Sequence, residues 1–219
     1  MNIPKLQVAL DYLNLEQALT TLKQVEEYVD LVEAGTPLIK AEGLKKILPA
    51  LAQFTSKPLV ADLKTADVAA YEFKLAQQLG ASYTTLLAAS PQENIQEGLA
   101  VAQQSELKVV VDLLGVDNYV ETAIKLVKQG VVYLGVHCGI SEQVAGKTIF
   151  RKTQEISNAI AELGGQLVVA GGINSNNVNY FKGINNIAII IAGGSITNSP
   201  HPAKSAQQLQ EQIKYVFKN

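Results

Sequence analysis

Asp62-Leu63-Lys64 places an acid and a base two residues apart. On a β-strand, where side chains alternate, that spacing turns Asp62 and Lys64 to one face and Leu63 to the other. Asp67 follows three residues after Lys64, where the chain is expected to turn into a helix. The resulting Asp-x-Lys-x-x-Asp pattern suits proton transfer, and equally an ordinary ion pair with Asp67 capping that helix. Glu33 and Asp62, if their strands are adjacent, offer two hard carboxylate oxygens to one Mg²⁺ and leave other positions to water and substrate oxygens. His137, one of two histidines, can take or give a proton near neutral pH. The other, His201, stands between Pro200 and Pro202 and reads as a surface loop residue. Cys138, the only cysteine, reads as a packed thiol rather than a nucleophile. No His/Cys spacing suggests structural zinc.

A second kind of chemistry is suggested by glycines. Ala170-Gly171-Gly172 and Ala192-Gly193-Gly194-Ser195 end two apolar runs. Bare backbone amides can approach an anion there, and following helices add their N-terminal dipoles, a phosphate-site pattern; tight turns alone would use the same residues. Arg151 is the only arginine, so a phosphate must be gripped largely by amides and hydroxyls.

These residues need a scaffold that gathers them. Short apolar runs recur at Leu6 to Asp11, Tyr28 to Gly35, Leu59 to Lys64, Tyr83 to Ala89, Lys108 to Gly115, Val131 to Gly139, Leu167 to Gly172 and Ile187 to Gly194. Between them the apolar residues follow a helical period, as at Leu15, Ala18, Leu19 and Leu22, so strand and helix alternate along the chain. Runs such as Val109-Val110-Val111 and Ile189-Ile190-Ile191 are apolar without alternation, as in a parallel sheet covered on both faces. Asn14, Ser90-Pro91 and Asp117 are suited to start helices, and Gly80 and Gly130 to end them. Eight such units in 219 residues predict one α/β domain over 1–219, a (β/α)8 TIM barrel, with an open doubly wound sheet as the alternative. In a parallel barrel all strands end at one mouth, so Asp11, Glu33, Asp62, Lys64, Asp112 and His137 are brought together there.

The composition narrows the setting. A net charge of −2 offers no basic field for nucleic acid. The apolar runs fall short of the ~20 residues a membrane-spanning helix needs. One cysteine permits no internal disulfide, and no secretory signal opens the chain, so a cytoplasmic protein is expected.

The run Leu6 to Asp11, the run Val32 to Gly43, Ala61-Asp62-Leu63-Lys64, Val111-Asp112-Leu113, the His137 segment and both glycine pairs resemble the 3-hexulose-6-phosphate synthase family, in the orotidine-monophosphate decarboxylase superfamily, over essentially the whole chain. The resemblance implies a Mg²⁺-dependent aldolase joining formaldehyde to ribulose 5-phosphate, with Glu33 and Asp62 as metal ligands. Lys64, Asp67, Asp112 and His137 are then catalytic: His137 removes a C1 proton and Lys64 supports the developing oxyanion. Asp11, Thr36, Gly171, Gly172, Gly193 and Gly194 fall at substrate-binding positions. The resemblance further implies a homodimer in which Asp67 completes the partner's site. The neighbouring 3-keto-L-gulonate-6-phosphate decarboxylases share Asp11, Glu33, Asp62, Lys64, Asp67 and His137, but typically have arginine, threonine, glutamate and arginine where this chain has Ile140, Ala170, Asp112 and Gly194. A barrel that only senses a sugar phosphate would need neither Lys64 nor His137.

Overall fold

The computed structural model describes residues 3–218. Eight parallel strands, β1 (Lys5–Leu10), β2 (Leu31–Ala34), β3 (Leu59–Thr65), β4 (Ala81–Leu87), β5 (Lys108–Asp112), β6 (Tyr133–His137), β7 (Gln166–Ala170) and β8 (Ile187–Ala192), pair in chain order. β8 returns to β1, with Lys5 opposite Ile189, and closes the sheet into the expected barrel. Ten α-helices accompany the described strands: α1 (Leu15–Val25), α2 (Thr36–Glu42), α3 (Leu44–Phe54), α4 (Ala69–Gln78), α5 (Gln92–Gln103), α6 (Tyr119–Lys128), α7 (Ile140–Val144), α8 (Phe150–Ile160), α9 (Gly194–Thr197) and α10 (Pro202–Lys218). Closure removes the open edges that the alternative sheet would have kept.

The sheet separates two apolar clusters. Outward residues such as Leu6, Val8, Leu10, Val32, Val109, Val111, Leu134 and Val136 pack with the helices. Leu31, Val60, Tyr83, Val110, Val168 and Ile189 fill the lumen. Both faces are apolar because both are covered, which is why these strands show no simple alternation.

Local signals hold in part. Asn14 caps α1, its side chain accepting from the Gln17 amide at 3.2 Å. Gly80 and Gly130 follow α4 and α6 at φ +96° and +97°, conformations that L side chains resist. Pro91 directly precedes α5. Asp117 does not cap α6: Asn118 takes that position, without a side-chain bond. The strand expected from Tyr28 shrinks to Leu31–Ala34 because Glu26–Tyr28 form a 3₁₀ turn. No α-helix lies between β7 and β8, where Val178–Phe181 make a single 3₁₀ segment. There Asn177 Oδ1 accepts the Asn174 amide and Asn174 Oδ1 the Asn176 amide, each at 2.9 Å, local bonds that compete with a helix. Among the described residues no helix is long and apolar enough to cross a membrane.

Candidate active site

The parity that puts Leu31, Val60 and Val110 in the lumen also decides what stands above them. Two residues further along each strand are Glu33, Asp62 and Asp112, so all three carboxylates enter the barrel at the C-terminal end. The same period carries Tyr133 to Gly135 and His137, and places Gln7 and Asp11 on the inner side of the outward-facing Leu6, Val8 and Leu10. One alternation thus builds both the apolar plug and the polar mouth.

Asp62 is the most heavily bonded member of the ring. Its Oδ2 accepts the Lys64 ammonium and, at 2.7 Å, the Thr36 hydroxyl; its Oδ1 accepts the Thr85 hydroxyl at 2.8 Å. Burial pushes this carboxyl up, but Lys64 and the two hydroxyls outweigh it and hold Asp62 below the usual carboxylate range. Burial likewise works against the Lys64 charge, while Asp62, then Glu33 and Asp112, overcome it and raise the amine above its ordinary value. Lys64 is therefore a cation at neutral pH. Asp67 takes no part in this: it is exposed, and its Oδ1 accepts the Val68 amide at 2.8 Å.

Glu33 has the opposite fate. Burial, then the charges of Asp62 and Asp11, drive its carboxyl well above the usual range, against the opposing hydrogen bond from Gln7 Nε2. Asp11, just beyond β1, is raised by desolvation and by Asp62. It is boxed in by two glycines: a Cβ on Gly35 would lie 2.1 Å from its Oδ1, and one on Gly193 3.3 Å from its Oδ2. Mutually repelling carboxylates around one ammonium fit a hard divalent cation, which would relieve the charge on Glu33. Among the described residues no three His, Cys, Asp or Glu side chains are grouped as a ready metal site. Two carboxylates completed by water and substrate oxygens suit Mg²⁺, which keeps much of its water.

Across the mouth, His137 Nδ1 lies 3.2 Å from Asp112 Oδ2, while Asp112 Oδ1 accepts the Leu114 amide at 3.0 Å. Gly135 pairs with Asp112 on the neighbouring strand, and a Cβ there would stand 2.9 Å from the Asp112 Cα. The bare position lets the acid reach His137. Lys152 of α8 adds a cation behind Asp112, donating to the Leu113 carbonyl at 3.1 Å and lying 5.1 Å over the Tyr119 ring.

The late glycines reach the same mouth. Gly171, at φ +120°, packs so closely on β6 that a Cβ would lie 2.6 Å from the Cys138 carbonyl. Gly172, at φ +68°, has its carbonyl held by Asn177 Nδ2 at 2.9 Å. Ser195 Oγ donates to the Ile173 carbonyl at 2.7 Å and ties the β8 turn to the β7 turn. Gly194 begins α9. Arg151 is spent on the outside of α8, paired with Glu155. Cys138 is buried, burial raising its thiol, and His201 is exposed, both as expected.

The mouth thus assembles Asp11, Glu33, Thr36, Asp62, Lys64, Asp112, His137 and the glycine turns, and leaves Asp67 on the rim. Gln7, Thr85, Gly135 and Lys152 went unnoticed in the sequence. The first three share the lumenal parity of the acids, which was the signal available.

Three comparisons bear on this geometry. Residues 4–209 match the family described as orotidine 5′-phosphate decarboxylase / HUMPS. The 3-hexulose-6-phosphate synthase of Bacillus subtilis (strain 168) is 31% identical over 209 residues, 95% of this chain and 98% of that protein. Among solved structures, 3-hexulose-6-phosphate synthase from Salmonella typhimurium superposes with a TM-score of 0.91 at 30% identity, covering 96% of this chain and 99% of its own. KGPDC from Streptococcus mutans, solved in complex with a sugar phosphate, gives a TM-score of 0.87 at 27% identity over 99% of this chain and 100% of its own.

Proposed function

We propose that this chain, which belongs to the orotidine 5′-phosphate decarboxylase / HUMPS family, condenses formaldehyde with D-ribulose 5-phosphate to D-arabino-hex-3-ulose 6-phosphate. It is an enzyme of the lyase type, resembling synthases over nearly its full length. The observation that carries the finer reading is the Asp62–Lys64 ion pair facing the His137–Asp112 pair across one lumen, with no arginine at Ile140 or Gly194. The sugar phosphate bound by the Streptococcus mutans neighbour supports a ligand of that class in this mouth.

His137 takes a proton from C1 of ribulose 5-phosphate, with Asp112 holding the ring and stabilising the imidazolium. The Lys64 ammonium, kept charged by its acidic neighbours, donates to the oxygen on which negative charge develops. C1 of the resulting enediolate attacks the formaldehyde carbon, one carbon–carbon bond forms, and the new alkoxide recovers the proton from His137. A charged amine is a poor nucleophile, so no imine with Lys64 is involved. Glu33 and Asp62 would hold Mg²⁺, which supplies Lewis-acid polarisation of substrate oxygens. The Gly171–Gly172 and Gly193–Gly194 turns hold the phosphate by backbone amides, and Asp11 and Thr36 face the sugar. In a homodimer the exposed Asp67 reaches the partner's mouth.

Incubating the protein with ribulose 5-phosphate in deuterium oxide, without formaldehyde, tests the proton-transfer half of this reading. Deuterium entering C1 supports it; a C1 proton that never exchanges in active enzyme contradicts it. The similarity to KGPDC favours a residual decarboxylation of 3-keto-L-gulonate 6-phosphate as a second activity.

A further inference from the structure

The β3–β4 ladder slips in the middle of the site. Ala61 pairs with Thr84, but the next pair is Thr65 with Leu86, so β3 advances four residues while β4 advances two. The surplus residues are Asp62, Leu63 and Lys64, the segment that carries the acid and the ammonium. Lys64 takes a left-handed conformation, φ +46°, which is costly for a residue with a side chain and persists only where its surroundings enforce it.

A bulge of this kind removes backbone partners from the ladder. The Lys64 amide finds its acceptor in a side chain instead, donating to Thr85 Oγ1 at 2.8 Å. The same hydroxyl donates to Asp62 Oδ1, also at 2.8 Å. One oxygen thus accepts from the backbone of the base and gives its only proton to the carboxylate of the acid, which uses both capacities of a hydroxyl. Thr85 lies on β4, outside the bulge, anchored by a regular ladder to β5 in which it pairs with Val110.

We propose that Thr85 is a positioning residue for the reaction: its hydroxyl clamps the bulge in β3, so that Lys64 stays in its left-handed turn and Asp62 keeps the orientation that receives both the ammonium and Thr36. This rests on the aldolase reading for its kinetic consequence, but not for its structural one. Valine matches the shape of threonine and can make neither bond, whereas serine can make both.

The test compares wild type, Thr85→Val and Thr85→Ser as full-length proteins, by kinetics and by amide hydrogen exchange. A misplacement on the order of an ångström lowers kcat about 100-fold, so Thr85→Val should lose about that much, with KM for ribulose 5-phosphate changing less than about threefold. Thr85→Ser should recover most of the loss. The Lys64 amide should exchange at least about tenfold faster in Thr85→Val, but not in Thr85→Ser, while amides in β7 and β8 stay protected. A Thr85→Val enzyme with wild-type kcat and an unchanged Lys64 amide overturns the proposal. So does a Thr85→Ser enzyme, which keeps the hydroxyl, as impaired as the valine variant. Should Thr85→Val not fold, the serine variant decides alone. Absence of hexulose phosphate from wild type would refute the aldolase reading and leave the exchange result to judge the clamp.

Discussion

His137 Nδ1 stands 3.2 Å from Asp112 Oδ2, across the pair of strands β5 and β6. That contact occupies one ring nitrogen and leaves Nε2 for the substrate. Replacing His137 by Asn should slow exchange of the ribulose 5-phosphate C1 proton by more than about 100-fold while weakening binding little. Asp112→Asn should fall between that variant and wild type. NMR in deuterium oxide follows the exchange directly, and undiminished exchange in His137→Asn would remove it as the base.

Glu33 carries a penalty that a neutral isostere would relieve. Its folded-state affinity for a proton is raised well above the ordinary 4.5, so the native state holds the proton more tightly than the unfolded chain. Stability is unimpaired below that ordinary value and falls as pH rises toward the folded value. Glu33→Gln should therefore melt higher than wild type in metal-free buffer, by roughly 2–4 °C per kcal/mol of relief, with a larger gap at about pH 8 than at about pH 5. Scanning calorimetry measures it, and a variant that melts lower at both pH values would show that burial of Glu33 is satisfied without a cation.

Asp62 responds in the reverse sense. Its carboxyl is held below the ordinary 3.8 by Lys64 and two hydroxyls that outweigh burial, so its stabilising contribution is present above that value and is lost as pH falls through the folded one. Lys64→Met removes the main counter-charge and should raise the pH of acid unfolding, followed by circular dichroism. An unchanged acid midpoint would mean that the ion pair contributes nothing to the native state.

Chelation should abolish hexulose phosphate formation, and added Mg²⁺ should restore it, if Glu33 and Asp62 hold the metal. Full turnover by protein freed of metal would contradict that assignment.

Asp67 is exposed and its carboxylate accepts the next amide of its own chain. If it serves the partner's site, mixing inactive Asp67→Asn and Lys64→Ala subunits should regenerate about a quarter of the dimeric sites by random association in equal amounts, a form of complementation that only shared sites allow. No recovery after demonstrated subunit exchange would assign Asp67 to its own turn.

The barrel and most of its mouth were legible because both rest on local rules. Apolar runs at regular intervals give parallel strands, and a residue's place at a strand end already locates Glu33, Asp62, Asp112 and His137 on one rim. The rest depended on contacts between distant segments. Asp117 yielded its capping place to Asn118 through a shift of one residue that propensity does not resolve. The missing α-helix before β8 reflects asparagine side chains bonding their own backbone. Thr85 drew no attention because its role arises from a register slip between β3 and β4, and Gly135 because its value is the space it leaves beside Asp112. Lys64 was expected to draw its charge from Asp11, Asp62 and Asp67; the structure keeps Asp62 and puts Glu33 and Asp112 ahead of the others.

The central claim is tested most directly by product identity. Purified protein with Mg²⁺, ribulose 5-phosphate and carbon-13-labelled formaldehyde should convert the label into a hydroxymethylene carbon coupled to the sugar chain of a hexulose 6-phosphate, observed by NMR. Labelled formaldehyde that stays unconsumed while the same enzyme releases carbon dioxide from 3-keto-L-gulonate 6-phosphate would contradict the account and make the mouth a decarboxylase's.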